Sequence, residues 1–322
     1  MRSPVTTISQ NDGTSGGLSA MSMSTSTQTH HTNGPRGNVT SKRGGRLAAL
    51  AVAGALALAA GPAHAGHGSS PQAVVSAIAS GSADAIKSEL ERAEYLVCAA
   101  CVDYVTPLID SDDASVREVA GWWLVRRGVS RHIFADMLAR LGQPDSVKAR
   151  NAADILASFS FPSAIPALGA ALSNPLFTSE ARVAMAHALG VIRRPAAAAP
   201  LAGVLADADA QVRAAALSAL RKVEGFTDGS VATGMLADGD ENVRVQAIFT
   251  VAQLRTQAAV PGLVQVLQSD PSASVRKRAA WALGQMNAPA SVAAPALTQA
   301  STADASPFVR SLARAALASL GQ

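Results

Sequence analysis

Cys98 and Cys101 are the only thiols in the chain, three residues apart in "LVCAACVDY". A Cys-x-x-Cys pair supports several chemistries. Covalent haem attachment needs a histidine directly after the second cysteine, and residue 102 is valine. A closed zinc site needs further ligands, and no histidine is near in sequence. Dithiol exchange of the thioredoxin kind places the pair after a strand and at a helix start, and no strand-like run precedes it. A disulfide fits across one helical turn, but so short a loop restrains the unfolded chain little. Three readings of Cys98 and Cys101 therefore stand open: a structural disulfide, a redox or electron-transfer role, and metal capture.

Other reactive groups are sparse. From Gly66 onward the histidines are His67, His132 and His187. No Ser-His-Asp arrangement, glycine-rich phosphate loop or paired-carboxylate site stands out, so the sequence assigns no catalytic residue, metal or cofactor. The expected function is binding rather than catalysis.

Charge narrows the class of partner. The chain holds 27 Lys and Arg against 23 Asp and Glu, but five of those bases and one acid precede residue 66. The remaining 22 of each leave a neutral body, which argues against an electrostatic nucleic-acid or anionic-membrane binder. Residues 42–65, "KRGGRLAALAVAGALALAAGPAHA", carry the excess. Three cations precede an uncharged run of 15 residues and a small-residue cleavage site, Ala63-His64-Ala65. This is the layout of a secretory signal, and the run falls short of the roughly 20 residues that span a bilayer. The reading is a signal peptide over 42–65, cleavage before Gly66, a periplasmic or secreted product and no membrane insertion afterwards. Residues 1–41 are Ser-, Thr-, Gly- and Asn-rich, the composition of a disordered leader. A true start at Val39, read from a GUG codon, is the alternative for this region.

The body has 48% hydrophobic but only 4% aromatic residues, rich in Ala and Leu, which points to helices. It also repeats. "VREVAGWWL", "ARNAADILA", "ARVAMAHAL", "VRAAALSAL", "VRVQAIFTV", "VRKRAAWAL" and "VRSLARAAL" place Arg117, Arg150, Arg182, Arg213, Arg244, Arg276 and Arg310 at steps of 31–34 residues. A period in this range marks a solenoid. Each unit has an upstream helical run with a proline near its start, at 107, 166, 200, 261 and 295. Between the runs lie turns such as "DADAQ", "DGDEN" and "DPSAS", whose side chains suit helix N-caps. "DSDDAS" and "DGDEN" also have calcium-loop composition, but capping and ion pairing account for their acids.

These units resemble HEAT repeats of the short subclass named after phycobilin-lyase subunits, over residues 97–322. The resemblance implies an all-α, right-handed α-solenoid of about seven helix pairs, with residues 66–96 as linker and helical cap. It also implies that the repeated arginines pair with turn aspartates along the stack, the candidates being Asp207, Asp238, Asp270 and Asp304, each six residues before its arginine, with Asp113, Asp209 and Asp240 four before. The family includes bilin lyases, scaffolds and a di-iron hydroxylase. The hydroxylase draws its iron ligands from His-Glu dipeptides, of which this sequence has none. The signal peptide argues against lyase chemistry, which is cytoplasmic.

Counting from each arginine, core positions fall at −1, +3, +6, +7 and +10. Trp123 at +6 belongs to the core, whereas Trp122 at +5 points away from it. The +5 column reads Trp122, Ile155, His187, Ser218, Phe249, Trp281 and Ala315. In HEAT solenoids the second helix lines the concave side, so the column reads as a stripe for a protein or peptide. Gln246, Lys277 and Arg278 are candidate polar rim residues. Packing of these rings against neighbouring helices is the competing explanation, and a redox role of the cysteine pair is the competing function.

Overall fold

The first and second helices of each unit differ in what starts them. In the computed structural model, which describes residues 68–321, the second helices begin at polar turns. Asp113, Asp145, Asp209 and Asp240 each sit at an N-cap, where a carboxylate oxygen accepts a first-turn backbone N–H. The first helices starting at residues 165, 198 and 260 lack such caps and follow a 3₁₀ turn instead, whereas Cys98 caps the one starting at 99 and Pro107 comes after that helix. Pro295 departs from this rule. It lies inside its helix because the leading 3₁₀ turn of the other units has merged into one continuous helix there. The signal and leader segments read from the sequence, with Gly66 and His67, lie outside the described residues.

Two cap helices come first, α1 (Pro71–Ala79) and α2 (Ala83–Arg92). Seven helix pairs follow: α3 (Ala99–Val105) with α4 (Ala114–Leu124), α5 (Ser130–Arg140) with α6 (Ser146–Phe159), α7 (Ile165–Leu172) with α8 (Ser179–Ile192), α9 (Ala198–Gly203) with α10 (Ala210–Leu220), α11 (Ser230–Thr233) with α12 (Glu241–Gln253), α13 (Val260–Ser269) with α14 (Ala273–Gln285), and α15 (Ala290–Ala303) with α16 (Pro307–Ser319). No strand occurs among the described residues, and the fold is an all-α solenoid. None of these helices is long and apolar enough to cross a membrane.

Neighbouring second helices pack directly on one another along the whole stack, at most steps more closely than neighbouring first helices do. Elements on the inside of an arc crowd together, so the second helices form the concave layer. Small residues permit the approach. A Cβ on Gly190 would stand 3.0 Å from Ala219, and one on Gly284 would stand 3.0 Å from Ala316. Both glycines are at +8 and both alanines at +6 of the next unit. The buried apolar side chains form two clusters, one running from the cap to α10 and the other from α10 to α16.

Polar rungs tie the units together. Nη1 of Arg213 donates to the carbonyls of Asp207 and Ala208 at 2.8 and 3.2 Å, closing its own turn. Its Nε and Nη2 donate to both carboxylate oxygens of Asp238 in the next unit, at 2.9 and 2.6 Å. Arg244 repeats this with Asp270, and Arg276 with Asp304. Asp207, Asp238, Asp270 and Asp304 each also accept the backbone N–H two residues on. Arg182 pairs with Asp207 and takes the Leu172 carbonyl instead of a turn carbonyl.

The first and last rungs differ from this pattern. Arg117 pairs with Asp154 on α6, and Arg150 pairs with Glu180 and its neighbour Asn151. The reason is visible in the sequence: Pro144 and Leu176 stand where later units carry the aspartate. Arg310 holds the Asp304 and Ala305 carbonyls, and its other edge meets no carboxylate among the described residues.

Arginine hydrogen bonds hold the Asp207 and Asp304 carboxyls below the usual carboxylate range. At Asp238 burial pushes upward, but the Arg213 fork and the Asp240 amide outweigh it and the net direction is also down. A depressed native pKa stabilises the fold above the unfolded value, near 3.9, and that stabilisation is lost as pH falls through the native value. Asp238→Asn should cost about 2–4 kcal/mol at pH 7, since it leaves Arg213 facing a neutral amide. Thermal melts should show the gap to the parent protein narrowing below about pH 4 as the parent carboxyl is protonated.

Candidate functional site

The double tryptophan resolves into two arginine-covered rings. Trp123 is fully buried, and its indole N–H donates to the Ala93 carbonyl at 3.1 Å. Arg127, one turn on, lies 3.5 Å from that ring's centroid and donates to the Ala93 and Glu94 carbonyls. Together they fasten the first helix pair to the cap. Trp122 is half-buried on the concave face, with the Arg126 guanidinium 4.4 Å from its centroid. One residue of helical phase separates a core residue from a groove residue.

Around Trp122 lies a cavity of about 500 Å³ between α2 and the first three second helices. Lys87, Glu91, Glu118 and His187 line it, with His187 exposed. Its charge is mixed. Ile155, which the helical phase places in the same outward stripe, is instead fully buried. Its Cδ1 lies 3.1 Å from where a Gly121 Cβ would stand, so the missing side chain at Gly121 lets Ile155 fill the space between α4 and α6.

A second cavity, of about 590 Å³, lies four units along at Phe249 and Trp281. Their rings meet edge-on, 5.6 Å between centroids at 67°. Arg221, Gln253, Arg255 and Gln285 complete the lining. Arg278 lies 5.9 Å from the Phe249 ring, whereas Lys277 lines neither cavity. Gln246 is half-buried, and its Oε1 is the single buried side-chain polar atom without a partner among the described residues.

Arg221 was not foreseen from the sequence, yet a signal existed. The +8 column reads Ser158, Gly190, Ala252 and Gly284 in other units, and this long cation interrupts it. It reaches the next helix, donating to the Gln246 carbonyl at 3.1 Å and to Thr250 Oγ1 at 3.4 Å. Thr250, fully buried, stands at +6 where the flanking units carry alanine. Burial pushes the Arg221 pKa down.

A family model for HEAT repeats matches residues 134–221 and 231–318, more than half of the chain. The chain belongs to the HEAT-repeat family. No curated protein sequence matches. Among solved structures, Escherichia coli YibA is 17% identical with a TM-score of 0.50, over 79% of this chain and 93% of that one, a likeness of fold. Human deoxyhypusine hydroxylase is 21% identical with a TM-score of 0.34, over 78% and 96%. The CpcE–CpcF complex of phycocyanin lyase from Nostoc sp. is 24% identical with a TM-score of 0.38, over 67% and 86%.

The cysteine pair of this HEAT protein sits apart from both cavities. Cys98 caps α3 in the outer layer, its sulfur accepting the Cys101 N–H at 3.1 Å, and the two sulfurs are 2.07 Å apart. Cys101 is buried.

Because Trp123 bridges cap and stack, Trp123→Ala should cost about 3–5 kcal/mol. Trp122→Ala removes a half-buried ring at the edge of the groove and should change stability by no more than about 1 kcal/mol. Thermal melts of the two variants will show the difference, and equal losses would place both rings in the core.

Proposed function

We propose that this HEAT-repeat protein is an exported, non-enzymatic scaffold that binds a protein or peptide along its concave face. The observation that carries the reading is the Phe249–Trp281 pair. Two large aromatic rings stand half-open over a cavity of about 590 Å³ with polar side chains at its edge. Such rings contribute large apolar area at little entropic cost and act as anchors in protein recognition. Trp122 offers a second anchor at the cap end of the same face. The export half of the reading rests on the signal-like layout of residues 42–65.

Trp281→Ala and Trp122→Ala should each weaken capture of the partner from a periplasmic extract by tenfold or more while the protein stays folded. Unchanged capture by both variants would remove the concave face from the mechanism. Export has its own readout: mass spectrometry of the protein isolated from its native cells should find Gly66 at the N-terminus. An uncleaved form as the main species would refute the periplasmic address.

A further inference from the structure

The two cavities of the concave face differ in charge, and the whole body differs in the same sense. Residues 66–210 carry 12 bases and 15 acids, whereas residues 211–322 carry 10 bases and 7 acids. The acids of the second half are already engaged. Asp238, Asp270 and Asp304 hold ladder arginines, Glu224 pairs with Arg193 and Arg194, and Glu241 accepts from Ser272. Asp228 and Asp240 accept backbone N–H groups at their own turns. No acid lines the Phe249–Trp281 cavity.

Three arginines around that cavity therefore lack a counter-ion. Arg221, Arg255 and Arg278 form no ion pair among the described residues. Arg221 is the most constrained of them. Its acceptors are a carbonyl and two hydroxyls, all neutral, and its Nε has no acceptor among the described residues. A partly desolvated guanidinium that meets only neutral acceptors forgoes the bidentate carboxylate contact its geometry favours. The ladder arginines show that this chain makes such contacts wherever a carboxylate is in reach. Gln246, whose carbonyl Arg221 holds, keeps its own Oε1 buried without a partner, so no acid or amide of this segment offers Arg221 a side-chain acceptor either.

Resting on the concave-face reading above, we propose that the gap where Arg221 meets Phe249 and Trp281 recognises an acidic side chain in a bound peptide segment. The peptide's Asp or Glu completes the Arg221 fork, and a neighbouring apolar side chain lies against the two rings. The neutral overall charge of the body favours a peptide over a nucleic acid, whose phosphates need an extended cationic surface.

The test uses the purified protein against a random dodecapeptide display library, each peptide joined through its C-terminus so that every carboxylate is a side chain. Selected peptides should be enriched in Asp or Glu beside an aromatic or aliphatic residue. A synthetic copy of one should quench or shift Trp281 fluorescence, and both Arg221→Gln and replacement of its acid by the amide should weaken binding at least tenfold. The two changes together should cost no more than the larger alone. Gln253→Glu, at an exposed position on the same cavity, is the second variant. It supplies an internal carboxylate, giving up only the exposed bond from Gln253 Nε2 to the Arg221 carbonyl at 3.0 Å, and should weaken the acidic peptide by a similar factor. Peptides selected without acidic enrichment, or acidic peptides indifferent to Arg221→Gln and Gln253→Glu, would overturn the proposal and leave the concave-face scaffold standing. No selected peptide at all would overturn both. Oligo(dT) binding that is lost in Arg221→Gln would reassign the site to nucleic acid.

Discussion

A guanidinium has two hydrogen-bonding edges, and the ladder arginines use both. One edge holds the carbonyls of the arginine's own turn, and the other takes a carboxylate from the next unit. A helix pair of about thirty residues cannot bury its apolar face alone, so its register against its neighbour must be set by something directional. Apolar contact is not directional, whereas a bidentate Arg–Asp pair is. The aspartate receiving the fork also folds its own turn by accepting a backbone N–H, so one residue fixes both the turn and its distance to the preceding unit. The helices then meet at a spacing where glycine at +8 faces alanine at +6.

That spacing is not the same at every step of the concave face. Where +8 is glycine, at Gly190 and Gly284, neighbouring second helices come close to one another. Where it is Arg221, a cation and a buried threonine bridge the helices in addition to their apolar contacts. At the cap end, Trp122 and the cap helix α2 open a different recess, bounded by both signs of charge. The ladder repeats from Arg213 to Arg276, and both recesses lie where the inner layer departs from its small-residue packing.

Much of this was legible in the sequence because it depends on local period. The spacing of seven arginines gave the repeat, and helical phase separated Trp123 from Trp122. What could not be read depends on distances between units. Ile155 has the phase of an outward residue, and only the empty space over Gly121 draws it inward. From Arg182 to Arg276 the partner of each arginine lies 25–28 residues downstream, in the next unit, and family resemblance supplied the idea of a pair but not its direction. Arg117 and Arg150 found other acceptors because Pro144 and Leu176 break the aspartate column. Arg221 was visible as an irregularity in a column of small residues, but its meaning needed the neighbouring helix.

The direction of the rungs has a genetic corollary. Any segment running from one ladder aspartate to just before the next, anywhere between Asp207 and Asp304, begins with the carboxylate its predecessor needs and carries the fork its successor needs. Such a segment is self-consistent under in-frame duplication or deletion, since the junction it leaves behind is the junction that was already there. Solenoid length can therefore change by whole units without a compensating substitution at the seam. The cap-proximal rungs, built on Asp154 and Glu180, lack this property, so the cap end is where the number of units is hardest to alter.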